Sequence, residues 1–330
     1  MKKFMAFAGA AALAAALSLP ASAETTLRIT LQLPLKSHLG QNLVMFKEEV
    51  EKESKGDIKV EIYDSAQLYK DNEVPQAVGS GAIEAGVASL TRYVGEIPAV
   101  DIFYVPFMFN SDAKVRAAVA PGSGVRQPLD DAILKTGSRV LWWQAYGGAI
   151  MLSKGGPLKT PADIKDKKVR VFGRTLGKFI ETLGGAPTMV SGSEQYIAYQ
   201  RGTVDSGMTG VSGVKSRKLW EVMDTITVTN HADIEFIVVV NENFWQSLSA
   251  DQQAIISKAA RNAEDNVRNE MANIEAEAYA AAKENGMTVV ELSDADVDAW
   301  RAATKPVLDS YLEESGELGQ QVYKAAQAIK

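Results

Sequence analysis

Hydrophobic residues recur with two different periods along the chain, and these periods predict where strands and helices lie. Residues 26–33 alternate between apolar and polar side chains, which is typical of a strand, whereas residues 39–53 repeat apolar side chains such as Leu43 and Phe46 at helical spacing. Residues 58–63 are extended again after a turn. A strand, a helix and a strand in this order predict two parallel strands joined by a right-handed crossover.

A later region with helical period is unusually long. Ser249 and Gln252 have the spacing of a capping box, and apolar residues follow at three- and four-residue steps from Ile256 to Ala278. The pattern continues for about 35 residues until Gly286, which corresponds to about 50 Å in an α-helix. Because this exceeds the length of an ordinary domain helix, we expect the helix to lie across two lobes.

The chain is predicted to leave one lobe and to return to it. Strands are predicted at residues 139–145 and 149–153, with a possible bend at Tyr146-Gly147-Gly148 between them, and the return strand at 234–240. We therefore expect an α/β chain whose two lobes close around a ligand by a hinge. The expected boundaries are 24–147 for the first part of lobe I, 148–233 for lobe II, 234–275 for the return to lobe I and the interlobe helix, and 276–330 for C-terminal helices packing mainly on lobe II.

Arg170 lies near the end of a predicted strand in residues 167–210, a stretch that alternates strand, helix, strand, helix and strand. Thr175 is the predicted cap of the first helix, and Ser191 with Glu194 has capping-box spacing for the second. Ligands bind α/β sheets outside the carboxyl ends of strands, where a guanidinium can grip a carboxylate with two hydrogen bonds. Spacing alone favours the plainer alternative, a salt-bridged arginine on an exposed strand face.

Residues 1–23 have the features of a cleaved secretion signal. Lys2 and Lys3 precede an apolar run at 4–19, which ends at the cleavage motif Ala21-Ser22-Ala23. No later segment is apolar enough to span a membrane. We therefore expect a protein secreted across the cytoplasmic membrane.

The composition excludes several function classes. The 330-residue chain has a formal net charge of −6, which argues against a nucleic-acid partner. It contains no cysteine, and His38 and His231 are its only histidines, so it offers little material for a metal site or a catalytic triad. It also lacks the H-E-x-x-H and G-x-S-x-G motifs. Neither a cofactor nor a catalytic residue is expected.

A series of short motifs within residues 167–210 occurs in an order typical of one family. The motifs are Lys168-Val169-Arg170, Gly185-Ala186-Pro187, Ser193-Glu194-Gln195-Tyr196-Ile197-Ala198-Tyr199-Gln200-Arg201-Gly202 and Val204-Asp205-Ser206. On these residues the chain resembles the periplasmic solute-binding subunits of TRAP transporters (the DctP-type family). The resemblance implies a two-lobed fold like that of type II periplasmic binding proteins, with parallel-rich sheets, a hinge and a long helix spanning both lobes. It also implies a periplasmic monomer that binds an organic acid and delivers it to membrane permease subunits.

The resemblance also assigns ligand-binding roles to particular residues. It places the ligand's carboxylate on Arg170, and Thr209 stands where the family has a ligand-contacting asparagine. Two departures from the family pattern change the expected pocket. The residues after the first crossing, Ala149-Ile150-Met151, lack the second basic residue of several acid-binding relatives, and Gly192 replaces a residue that is often bulky. The pocket is therefore expected to be less cationic and roomier.

Aromatic residues near the crevice bear on the ligand's identity. Trp143, Tyr146 and Phe172 favour an aromatic or otherwise bulky monocarboxylate, although such residues more often lie in a core. Arg92 and Arg174 offer an alternative source of positive charge, which would favour a C4-dicarboxylate or a sugar acid.

Two further residues are candidate contacts at the rim of the crevice. His38 follows the first strand, and Tyr93 follows the third. A solvent-exposed or helix-capping histidine is the plainer interpretation of His38.

Two other functions remain open at this point. A secreted enzyme would use carboxylates such as Asp101 or Glu194 beside Arg170 for acid–base chemistry and would turn over a bound acid. A binding module that serves a sensor kinase or an unrelated transporter would bind the acid without a TRAP permease.

Overall fold

The computed structural model describes residues 25–329, so the predicted signal peptide lies outside the described residues. The strands are β1 Thr25–Thr30, β2 Ile58–Tyr63, β3 Ala85–Ser89, β4 Ser138–Ser153, β5 Lys168–Val171, β6 Ala186–Met189, β7 Ser206–Gly210, β8 Thr225–Val228, β9 Asp233–Asn241 and β10 Thr288–Glu291.

Helices alternate with these strands. They are α1 His38–Glu53, α2 Val74–Gly79, α3 Asp112–Val119, α4 Arg126–Leu134, α5 Arg174–Thr182, α6 Gln195–Gln200, α7 Val211–Arg217, α8 Glu242–Ser247, α9 Ala250–Glu284, α10 Asp294–Ala303, α11 Lys305–Glu314 and α12 Gly316–Ala328, with short 3₁₀ helices at Leu90–Tyr93, Pro98–Tyr104, Pro161–Ile164 and Leu219–Glu221. The strand, helix, strand, helix and strand order predicted for residues 167–210 is confirmed by β5 to β7.

Strand β4 joins two sheets. Its first part pairs with β9 in a sheet of order β2-β1-β3-β9-β4, and its last residues pair with β7 and β8 in a sheet of order β6-β5-β7-β4-β8-β10. Each sheet combines parallel pairs with antiparallel ones, which β4 and β9 introduce. The carboxyl ends of β1, β3, β5 and β7 therefore face the space between the two sheets.

The expected bend at Tyr146-Gly147-Gly148 is not a break between two strands, because β4 runs through it for 16 residues. The backbone instead shifts register against β9 between Ala145 and Gly147. Gly147 has a φ of +90°, and a Cβ there would overlap the carboxylate of Glu275 on α9. Only glycine combines this backbone conformation with so close an approach of the helix.

Helix α9 is the long helix that the sequence predicts. It spans 35 residues, and Ser249 and Gln252 form the predicted capping box at its start. It packs against α1 beside the first sheet, against β4, and against α7 and β10 beside the second. The helix therefore spans both sheets.

A buried ion pair fixes α9 to the strand that returns between the sheets. Arg268 of α9 donates two hydrogen bonds, of 2.8 and 3.1 Å, to the carboxylate of Glu235 on β9, and Glu235 is fully buried. Burial alone would lower the pKa of Arg268, but the carboxylate of Glu235 offsets this effect and raises the pKa above its ordinary value. The pair therefore makes the position of α9 dependent on β9.

The C-terminal helices contact segments on both sides of the predicted lobe boundary. Helix α11 lies against Pro98–Tyr104 and against α5, and α12 lies against Pro98–Tyr104. Tyr311 of α11 donates a hydrogen bond to the carbonyl of Ala99. The expected packing of these helices mainly on lobe II stays a prediction, and their contacts include the 3₁₀ segment Pro98–Tyr104 as well as α5.

Within residues 25–329, no helix combines the length and the apolar character that crossing a membrane requires.

Candidate functional site

A small cavity lies where the strand ends of the two sheets face each other. Arg170, Thr209 and Arg217 line it from the side of the second sheet, and Gln32, Asp71 and Ser89 line it from the side of the first. Apolar side chains cover the remaining wall; they are Leu33, Phe172, Ile234 and Phe236. The cavity has a volume of about 20 Å³, which admits a single water-sized group. An organic ligand would therefore enter only when the lobes move apart.

Arg170 is a buried cation in this cavity. Three of its five N–H groups donate hydrogen bonds to backbone carbonyls, two to Val190 at 3.0 and 2.8 Å and one to Met208 at 2.7 Å. Two N–H groups therefore remain for a ligand. The pKa of Arg170 is lowered to about 10, mainly by burial; Tyr199 opposes this effect, Arg217 and Arg92 add to it, and Asp71 opposes it more weakly. The guanidinium still carries its charge at neutral pH.

Arg217 of α7 is a second cation in the cavity, and the sequence analysis missed it. All five of its N–H groups donate to the protein, to Gly213 and Gly192 carbonyls and to the side chains of Gln195, Tyr146 and Thr209. The bonds to the Tyr146 and Thr209 hydroxyl oxygens measure 3.2 and 2.9 Å. Because each hydroxyl accepts from Arg217, each keeps its own proton to donate to a ligand.

Gly213 makes room for the Arg217 guanidinium. A Cβ at this position would overlap Nη2 of Arg217 and the hydroxyl of Tyr146. Gly213 lies four residues before Arg217 on the same helix, so the arginine folds back over the glycine and into the cavity. The pocket is therefore not less cationic than expected for an acid-binding site, because α7 supplies the cation that Ala149-Ile150-Met151 lacks.

Neither arginine of the cavity forms an ion pair with a carboxylate of residues 25–329. Two guanidinium groups close together in a poorly solvated space repel each other, and an uncompensated buried charge is costly. An anion bound between them would relieve this cost. The electrostatics of the cavity therefore favour a negatively charged ligand.

The sequence analysis also named Thr209, Tyr146 and Phe172, and the structure places all three in the cavity with Arg170. Phe172 is buried, and its ring centre lies 5.1 Å from the guanidinium carbon of Arg170. This contact holds the arginine over an aromatic face. The Tyr146 ring packs against Phe236 at 5.0 Å between centroids.

Side chains that the sequence did not indicate as ligand contacts connect the two sides of the cavity. The hydroxyl of Ser191, after β6, lies 2.9 Å from Oδ1 of Asp71 and 3.0 Å from Oε1 of Gln32. At the exposed rim, Lys70 and Glu194 form an ion pair of 2.8 Å. Ser191 therefore connects the two sides instead of capping α6, which has no side-chain cap.

Arg92 lies next to the cavity but does not line it. Its Nε donates to Oδ2 of Asp71 at 2.8 Å, and both side chains are buried. Asp71 therefore neutralises Arg92, and the role of Arg92 as a ligand's cation stays a prediction.

Three other predicted site residues lie away from the cavity. Trp143 is fully buried in the core, where its indole N–H donates to Asp130 and its ring packs on Phe103. Tyr93 is 1% exposed and also belongs to the core. Arg174 is half-exposed at the start of α5 and lies 3.9 Å from a carboxylate oxygen of Glu314. The position of each of these side chains depends on partners that lie elsewhere in the chain.

His38 contacts Tyr146 from outside the cavity. Their ring centroids lie 5.2 Å apart, and His38 Nε2 lies 3.1 Å from the carbonyl of Ala145. Burial lowers the pKa of His38 to about 4, so the ring is neutral at pH 7 and supports Tyr146 without adding charge. On its other side His38 lines a separate groove of about 570 Å³ between α1, α7 and α9.

No group of three or more metal-ligating side chains occurs in the part of the chain that the structure describes.

Residues 31–315 match the family described as "Bacterial extracellular solute-binding protein, family 7". The chain belongs to this family. The match confirms the resemblance to TRAP transporter solute-binding subunits that the motifs of residues 167–210 indicate. It also makes the chain a member of a family of extracellular binding proteins rather than of enzymes.

Individual relatives of this family 7 protein cover almost its whole length. It is 30% identical over 328 residues to the C4-dicarboxylate-binding periplasmic protein DctP of Rhodobacter capsulatus, which covers 98% of this chain and 97% of that protein. It is 28% identical over 312 residues to the sialic acid-binding periplasmic protein SiaP of Vibrio cholerae, with coverage of 93% and 94%.

Solved TRAP periplasmic solute-binding proteins have the same fold. A TRAP periplasmic solute-binding protein from a Polaromonas species, bound to D-erythronate, superposes with a TM-score of 0.86 at 26% identity over 93% of this chain and 99% of that one. One from Sulfurospirillum deleyianum with bound succinate superposes with a TM-score of 0.87 at 24% identity, again over 93% and 99%. The predicted two-lobed α/β fold is thereby confirmed, whereas the exact lobe boundaries stay a prediction.

Proposed function

We propose that this protein binds a small organic acid between its lobes and delivers it to the membrane permease of a TRAP transporter. The observation that carries the proposal is the pair of guanidinium groups, Arg170 and Arg217, which line one cavity without a carboxylate partner among the described residues. Arg170 offers two N–H groups, and the Tyr146 and Thr209 hydroxyls offer one proton each. A carboxylate accepts all of these donors.

The relatives support the class of ligand. The named ligands among them, C4-dicarboxylates, sialic acid, D-erythronate and succinate, all carry a carboxylate. The family, which is described as extracellular solute-binding proteins, supports the proposed permease partner and periplasmic location.

The structure favours a small acid over the aromatic or bulky one that the sequence suggests. Trp143 lies in the core, and the other predicted aromatic residues, Tyr146 and Phe172, cover walls of a cavity of about 20 Å³. Closure around a small acid also excludes water, which strengthens its hydrogen bonds to Arg170.

A screen of carboxylic acids by thermal shift and calorimetry tests the proposal. An acid present at about 100 times its dissociation constant stabilises the folded protein by about 2.7 kcal/mol, since only the folded state binds it. This corresponds to a rise in melting temperature of about 5 °C or more. The matching amides, which have the same shape without the charge, serve as controls and are expected to give no shift.

Two results would contradict the proposal. One is a panel of mono- and dicarboxylates that leaves the melting temperature unchanged, and the other is equal shifts from acids and amides. Mass spectrometry of the acid released from the complex is expected to show it chemically unchanged, whereas a modified product would favour an enzyme.

A further inference from the structure

The two walls of the cavity differ in hydrogen-bonding character. The wall on the side of the second sheet presents donors, namely the free N–H groups of Arg170 and the hydroxyl protons of Tyr146 and Thr209. The opposite wall consists of Gln32, Asp71 and Ser89, each at most 4% exposed.

Ser89 presents an acceptor to the cavity. Tyr104 donates its hydroxyl proton to the carbonyl of Glu235 at 3.2 Å. The second contact of Tyr104, with Ser89 Oγ at 3.1 Å, must then use the proton of Ser89. The lone pairs of Ser89 Oγ are left facing the cavity.

Gln32 and Asp71 also retain acceptor capacity. Ser191 has one proton and lies within hydrogen-bond distance of both Gln32 Oε1 and Asp71 Oδ1, so it can satisfy only one of them. Among residues 25–329, Ser191 is the one donor to Gln32 Oε1, so this oxygen keeps a lone pair for a ligand. Within the described part of the chain, Asp71 accepts only from Ser191 and Arg92, although a carboxylate has about four acceptor positions.

We propose that the ligand is a short-chain hydroxy or amino monocarboxylic acid whose hydroxyl or ammonium group binds the acceptor wall of Gln32, Asp71 and Ser89. This inference rests on the proposed function and deepens it. The carboxylate binds Arg170 on the donor wall, and the small size of the cavity requires the second polar group to lie close to it. Leu33, Ile234 and Phe236 leave an apolar side for a short alkyl group.

The acceptor wall also discriminates against a second carboxylate. A dicarboxylate would bring a negative group towards Asp71 and towards the lone pairs of Gln32 and Ser89, and it would leave their acceptor capacity unfilled. In a poorly solvated cavity, acceptors that face each other without a donor between them are unfavourable. Asp71 is therefore a specificity-determining residue.

Calorimetry with acids of equal carbon number tests the inference. The three-carbon set is lactate, alanine, propionate and malonate, and the four-carbon set is 2-hydroxybutyrate, butyrate and succinate. We expect the better of lactate and alanine to bind at least about 30-fold more tightly than propionate, because a hydrogen bond to a charged acceptor is gained. Malonate and succinate are expected to bind more weakly than the hydroxy acids.

The outcomes separate this inference from the proposed function. The inference would be overturned if propionate and butyrate bound as tightly as their hydroxy and amino counterparts. It would also be overturned if succinate or malonate bound more tightly than the hydroxy and amino acids. In both cases the proposed function would still stand. Absence of binding by every acid would overturn the proposed function and the inference with it.

Variants of the acceptor wall test the named residues. D71N replaces one acceptor by a donor and is expected to lower the ratio of lactate to propionate affinity about tenfold. D71N also removes the ion-pair partner of Arg92, so S89A provides a milder second test. We expect S89A to lower the ratio of lactate to propionate affinity three- to tenfold. E73Q, at an exposed carboxylate of the same loop, is the matched control with an unchanged ratio. An unchanged ratio in both D71N and S89A would overturn the assignment.

Discussion

Replacing Arg170 by glutamine is expected to weaken the binding of an organic acid by about 100- to 1,000-fold. The buried guanidinium supplies a charge and two N–H groups that no neighbouring residue can supply in its place, since every N–H group of Arg217 already donates to the protein. Truncating one partner of a buried, charged hydrogen-bonded pair costs about 2–5 kcal/mol of binding free energy. The dissociation constants of the two proteins, measured by calorimetry, check this prediction.

R174Q is the matched control for this experiment. Arg174 lies four residues further along the chain and is half-exposed beside Glu314, outside the cavity. We expect R174Q to bind the acid as the parent does. Arg170 also donates to the carbonyls of Val190 and Met208, so circular dichroism must show that R170Q is folded. A folded R170Q with the parent's affinity would contradict the role assigned to Arg170.

Of the variants proposed here, R268M is expected to lower the free energy of unfolding most. The substitution leaves the fully buried carboxylate of Glu235 without the guanidinium that donates two hydrogen bonds to it. Breaking a buried ion pair from one side costs about 3–5 kcal/mol. In a protein of this size the melting temperature is expected to fall by about 10 °C.

K258M on the same helix is the matched control. Lys258 pairs with Glu53 at 3.5 Å, but both side chains are largely exposed, so the pair is worth less than about 1 kcal/mol. Comparing the melting temperatures of the two variants by calorimetry therefore distinguishes the effect of breaking the buried ion pair from the effect of removing a positive charge from α9. Equal melting temperatures for R268M and K258M would show that the tie between α9 and β9 is not a major source of stability.

The sequence predicts those features that depend on local pattern. The capping box of Ser249 and Gln252 and the apolar stripe after it define α9 because helix period and capping are properties of neighbouring residues. Local pattern also places Arg170 near the carboxyl end of a strand, where α/β sheets bind ligands, although its role as the carboxylate contact rests on the family resemblance.

Features that depend on distant partners are missed. Lys215, Arg217 and Lys218 resemble a solvated helix face, and only the packing of α7 shows that Arg217 folds over Gly213 into the cavity. The local sequence feature that could have indicated this position of Arg217 is Gly213, which lies four residues earlier on the same helix face. Ser191 has the spacing of a helix cap, but its hydroxyl contacts Asp71, 120 residues away.

Buried aromatic residues show the same limit. Trp142 and Trp143 are adjacent in β4 and point to opposite faces, yet both are fully buried because helices cover both sides of the sheet. Alternation along one strand does not show which face meets a ligand and which meets a core. Of the three predicted aromatic contacts, Trp143 therefore lies in the core, whereas Tyr146 and Phe172 lie in the cavity wall.

A crystal structure of the protein grown with the tightest-binding acid tests the central claim most directly. We expect a carboxylate oxygen of the acid within 3.2 Å of a guanidinium nitrogen of Arg170, a distance typical of a hydrogen bond. We also expect the Tyr146 and Thr209 hydroxyls to donate to the same carboxylate. The account would be contradicted by an acid bound elsewhere, for example in the groove between α1, α7 and α9, with Arg170 still donating only to Val190 and Met208.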